Sequence, residues 1–148
     1  MKKSFVLFLA ICLACLGASA ANRLSSHIAT MDGPDGYTFN KAISDKLAME
    51  VYTPADAAGG ICFGVQNAQK DITPSAIATV LANALMQGGT HSAMTADDGT
   101  PIHLVTAKDG ATVVAIAGDK AASRFAVVIF RDAAAPLAAS LLKTLKIK

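Results

Sequence analysis

The chain of 148 residues lacks most of the marks of a catalyst or of a phosphate binder. It contains no Gly-x-Ser-x-Gly elbow, so its serines, found in a lead-in, a helix start and a loop, have no strained turn to expose a nucleophile. Neither Gly59-Gly60 nor Gly88-Gly89 belongs to a Gly-x-Gly-x-x-Gly pattern or precedes Lys-Ser/Thr, which excludes the common phosphate-cradling loops. No His-x-His or His-Glu-x-x-His spacing occurs. Glutamate appears once, at Glu50, beside ten aspartates. One acid on a strand is ordinarily part of its wet face, not half of a hydrolytic carboxylate pair.

Charge of one sign is also scarce. Removing Met1 to Ala20 as a leader takes two lysines from the 13 basic residues and leaves 11 acids untouched, so the remainder is close to neutral. Nucleic-acid binders show basic patches, and nothing in this charge balance recruits phosphate. Lys143, Lys146 and Lys148 cluster at the end of a predicted helix, where cations offset the partial negative charge of the helix terminus.

What is present begins with an address. Met1-Lys2-Lys3 is followed by the uncharged run Phe5 to Leu16 and by the small residues Gly17-Ala18-Ser19-Ala20. This is the pattern of a secretory signal peptide cut after Ala20, and the apolar run falls short of the roughly 20 residues that span a bilayer. Cys12 and Cys15 raise the question of a lipid anchor, but Cys12 follows Ile11, and Cys15 has Cys12 where a large aliphatic residue belongs. Cleavage leaves Cys62 as the one cysteine, so no internal disulfide can form. Export without disulfides suggests a bacterial periplasm.

The core is clearest between Thr100 and Phe130. Ile102–Thr106, Thr112–Ala117 and Phe125–Phe130 are β-branched, apolar runs, read as three consecutive antiparallel strands in the middle of one sheet. Asp109-Gly110 predicts a two-residue turn with positive φ angles, placing Thr106 opposite Val113, Val105 opposite Val114 and His103 opposite Ile116. Gly118 to Ser123 forms a longer loop before the third strand.

Ahead of these strands, Asn22 to Met31 reads as a mobile arm or edge segment, and Asp32–Gly36 as the turn that opens a single domain over 36–148. Tyr37–Phe39, Leu47–Tyr52 and Ile61–Gln66 are predicted strands, with the loop Thr53–Gly60 between the last two. Thr73 as N-cap, Pro74 at the first helical position and Gly88-Gly89 as a stop predict a helix over Pro74–Gln87. Its apolar stripe is Ile77, Val80, Leu81, Ala84 and Leu85. His91–Ala96 is a polar strand closed by Asp97-Asp98-Gly99. A last helix begins at Asp132 or at Ala135-Pro136 and packs Leu137, Leu141 and Leu145, with Ala138 and Leu142 beside them. The order predicts an α+β fold, an antiparallel sheet with two amphipathic helices in layers.

This arrangement resembles the PsbP-like α/β/α sandwich, and in particular the bacterial DcrB-type periplasmic proteins. The resemblance rests on the exported N-terminus, the strand Tyr37-Thr38-Phe39, the helix Pro74–Gln87 ahead of the turn Asp98-Gly99-Thr100-Pro101, two long strands, and the tail Leu141-Leu142-Lys143-Thr144-Leu145-Lys146-Ile147-Lys148. It implies an accessory or binding role without shared catalytic residues or a cofactor, and a tail that returns toward the sheet.

Three groups of residues carry whatever chemistry the sequence offers. Cys62, flanked by Ile61 and Phe63 with no adjacent charge, has the setting of an inert buried thiol. His91, His103, Asp97 and Asp98 are of zinc-ligand type. However, a tight turn at Asp98-Gly99 pairs His103 with Met94 and His91 with Thr106, which offsets the imidazoles, so no metal site is expected. The expectation is an exported, non-catalytic protein that binds an envelope partner through a sheet edge or the loops Thr53–Gly60 and Asp97–Pro101. It has no membrane anchor after cleavage and no nucleic-acid partner. A secreted inhibitor or immunity protein is the alternative, and a thiol enzyme using Cys62 is a second one.

Overall fold

A computed structural model describes residues 22–67, 72–85, 87–118 and 124–148. The expected signal peptide, with Cys12 and Cys15, and most of the Gly118–Ser123 loop lie outside the described residues. Strands β1 (Arg23–Ser25), β2 (Ala29–Asp32) and β3 (Tyr37–Phe39) lead into helix α1 (Lys41–Leu47). Strands β4 (Glu50–Pro54) and β5 (Gly59–Asn67) precede α2 (Pro74–Val80), which runs on into a π-helical turn, Leu81–Leu85. Then come β6 (Thr90–Thr95), β7 (Pro101–Thr106), β8 (Thr112–Ala117) and β9 (Arg124–Asp132). A 3-10 turn (Ala135–Leu137), α3 (Ala138–Leu142) and β10 (Lys146–Ile147) close the chain.

Seven strands form one antiparallel sheet in the order β3-β4-β5-β9-β8-β7-β6. The β7–β8–β9 meander is contiguous within it, as the sequence indicates. Alternation along each strand gives the sheet two apolar faces. On one, Ile61, Phe63, Ile102, Ala115, Val128 and Phe130 pack beneath α3 and the small sheet β1-β2-β10. On the other, Val105, Val114, Ile116 and Phe125 pack under Ala78 and Ala82. Helices on both faces of a sheet make the α/β/α sandwich.

Five local expectations change. Asn22–Met31 is not a loose arm: Leu24, Ile28, Ala29 and Met31 are buried, and β1 and β2 pair antiparallel. Strands of three and four residues are too short for a period of two to be visible in sequence. The expected strand from Leu47 begins instead at Glu50, because 41–47 is helical. Asn40 caps α1 by accepting from the Ile43 N–H (3.1 Å), and Lys41 pairs with Asp45 one turn on (2.7 Å). Only Ser44 of this helix is buried, so no apolar stripe announces it.

The stripe of α2 is rotated from its expected position. Val80 is 61% exposed and Ala84 is exposed, while Ala78 and Ala82 are buried. Alanines let the helix approach the sheet closely, and the shift to π geometry after Val80 breaks the 3.6 period on which the stripe depends. At the C-terminus neither Asp132 nor Ala135 caps a helix: Ala134 precedes the 3-10 turn and Leu137 precedes α3, and Leu137 is exposed while Leu142 and Leu145 are fully buried. Lys146 and Lys148 lie beyond α3. β10 pairs with β2, and the Lys148 N–H donates to the Ile28 carbonyl (2.8 Å). These lysines therefore pin the small sheet and do not serve as helix-end charges.

Candidate functional site

Two concavities contain the two loops singled out from the sequence. Asp97 and Asp98, at the β6–β7 turn, line a crevice of about 270 Å³ with Arg23, Asp32, Lys143 and Lys146. The small sheet supplies Arg23 and Asp32, and the end of α3 supplies Lys143. The Asp97 N–H donates to the Lys143 carbonyl (2.8 Å), which fixes the turn against α3. Asp98 Oδ1 accepts from the Thr100 N–H at 3.0 Å. The hydrogen bonds from Thr100, helped by the charge of Lys146, hold the Asp98 carboxyl below the usual carboxylate range. This crevice therefore presents ionised groups of both signs at neutral pH.

The second concavity, about 280 Å³, lies where α1 leans over β4 and β5. Ile43, Leu47 and Val51 make it apolar, Gly60 and Cys62 form its floor, and Arg131 stands at its side. Burial pushes the Cys62 thiol above its ordinary pKa, and Arg131 offsets part of that rise. A nucleophilic or metal-binding cysteine needs the opposite shift. With 8% of its surface exposed and its pKa raised, Cys62 has the chemistry of a packing residue.

His91 and His103 lie in neither concavity. The β6–β7 register pairs His91 with Val105 and Ala93 with His103, one residue from the expected pairing. The Ala96 N–H donates to the Thr100 carbonyl (2.9 Å) and the Gly99 N–H to the Ala96 carbonyl (2.9 Å). Three residues, Asp97 to Gly99, therefore make the loop, one more than in the expected two-residue turn, and Gly99 carries its positive φ (91°). A slip of one residue turns a whole strand over. The imidazoles consequently share a face, His91 Nε2 3.2 Å from His103 Nδ1. They face the α2 side, whereas the charged crevice opens beside the small sheet. Cys62 is on the α2 side too, but β9 and β8 separate its strand from β7. Three strand spacings place it roughly 14 Å away.

Glu50 is not merely wet. Its carboxylate accepts from the His27 N–H (3.0 Å) and contacts His27 Nδ1, latching the β1–β2 turn onto β4. Arg23 and Asp32 were not legible as site residues, because nothing in sequence brings the N-terminal strands beside the β6–β7 turn. Lys143 and Lys146 left a signal, the basic cluster, though its position implied a different role.

No family model and no curated protein matches the chain. Among solved structures it is similar to the solution structure of cyanobacterial PsbP (CyanoP) from Synechocystis sp. PCC 6803. The TM-score is 0.61 at 10% identity, over 88% of this chain and 94% of that one. The similarity shows a PsbP-like α+β fold.

Proposed function

We propose that this chain is an exported, non-catalytic accessory protein of the bacterial cell envelope, akin to the DcrB-type periplasmic proteins, that docks a protein partner at the charged crevice. One observation carries the reading. Arg23, Asp32, Asp97, Asp98, Lys143 and Lys146 converge from four segments of the chain. Among the described residues, none of the six forms an ion pair with another. Groups of both signs held apart in this way suit a protein surface of complementary charge better than a small anion, and they favour specificity and encounter rate over raw affinity. The leader-like N-terminus supports the location, and the PsbP-like fold supports an accessory role.

Photo-crosslinking in cells tests this, with the crosslinker at position 98 or 143 and, as a control, at position 80 on the opposite face. A discrete adduct from each of the two crevice positions is expected, weakened by high salt, and the one from position 98 is lost in the Lys143→Glu/Lys146→Glu variant. An equal adduct from position 80, or one indifferent to charge reversal, would refute the crevice as the docking site.

A further inference from the structure

The imidazole pair on β6 and β7 belongs to neither concavity and is not needed to hold the sheet, since His91 is exposed. We propose that His91 and His103 form a bidentate binding site for a first-row divalent transition cation, with Cu(II) preferred. The register makes them diagonal neighbours on one face of an antiparallel pair, a spacing that long or aromatic side chains bridge. Their nearest nitrogens are 3.2 Å apart. Two imidazole nitrogens at a metal–nitrogen distance of ~2.0–2.1 Å stand ~3.3 Å apart in a tetrahedral site and ~2.9 Å apart in a square-planar one. The pair is thus already at chelating distance without movement of either strand.

A metal takes the lone pair of neutral imidazole. Without metal, one ring nitrogen donates its proton to the lone pair of the other. On binding, that proton passes through solvent to the far nitrogen of its own ring, so both rings stay neutral and each offers a lone pair. Among the described residues no third His, Cys, Asp or Glu completes a cluster. Water therefore fills the remaining positions, and the order of affinity follows the general preference of nitrogen sites for Cu(II) over Ni(II) and Zn(II).

Titration of the purified protein with Cu(II) at pH 7.5, followed by calorimetry and electron paramagnetic resonance, tests the site. One-to-one binding with hyperfine splitting from two nitrogens is expected. Losing one arm of a chelate removes the advantage of the tethered second ligand, so His91→Ala and His103→Ala should each weaken binding roughly 100-fold. His27→Ala, whose ring lies against Glu50, should leave it unchanged. His91 is exposed, so its alanine variant tests the site even if His103→Ala fails to fold. Absence of saturable binding, single-nitrogen splitting, unchanged affinity in His91→Ala, or an equal loss in His27→Ala would overturn the proposal.

Discussion

The hairpins β6–β7 and β7–β8 share a strand and are closed by nearly the same residues, yet their registers are set by different forces. Asp98 accepts from the Thr100 N–H (3.0 Å) and Asp109 from the Ala111 N–H (2.9 Å). Gly99 and Gly110 each take positive φ. In the first turn the Ala96 N–H reaches the Thr100 carbonyl, and in the second the Ala107 N–H reaches the Thr112 carbonyl, one residue further along. Neither is a two-residue turn with two positive φ values, since Asp98 and Asp109 are absent from the positive-φ residues. The register of β7–β8 nevertheless agrees with the expectation, because from Val113 to Ala117 the strand β8 is buried on both faces and its partner must match it. Strand β6 is exposed except at Met94, so the length of its loop alone decides the pairing.

The largest effect that separates the two hairpins is on stability. Ile116→Ala should cost about 2–5 kcal/mol, because it empties a fully buried position of β8. His91→Ala on β6 should change stability by less than about 0.5 kcal/mol, both being read by chemical denaturation. Next come Gly99→Ala and Gly110→Ala. No atom lies within 4 Å of a Cβ added at either position, so the cost is backbone strain alone, about 1–2 kcal/mol each. A clearly larger loss at one of them would mean that its loop is packed and not merely bent.

Lengthening the loops sharpens the contrast further. One residue inserted between Asp98 and Gly99 should slip β6 by a residue, turn His91 to the opposite face and abolish Cu(II) binding at little cost in stability. An insertion between Asp109 and Gly110 should be absorbed as a wider loop, with the Val105–Val114 pairing intact in cross-strand proton–proton contacts. The smallest effect is on pH dependence. The folded-state pKa of His103 lies below its unfolded value, so the unfolded chain binds more protons as pH falls through about 6.5. The stability contributed by neutral His103 is present above that pH and is lost on acidification. His103→Gln should flatten this part of the stability profile, and an unchanged slope would contradict it.

Strand periodicity, a capped helix start and the absence of catalytic spacings made the layered α+β fold legible without coordinates. They act over a few residues, and β-branched runs such as Thr112–Ala117 leave little choice but a buried strand. The same locality explains the misses. Helix α1 is held by a cap and an ion pair and has no stripe, while β1, β2 and β10 exist only because they pair with one another. Of the site residues, Asp97 and Asp98 were singled out, but their cationic neighbours are more than forty positions away in the chain. Sequence alone determined which residues are apolar enough to build the sheet and which turns interrupt it. Only the tertiary structure decided that His91 meets His103 and that Arg23 meets Lys143. A one-residue difference in loop length reverses the face of a strand, and the local energies of the chain do not distinguish the two lengths.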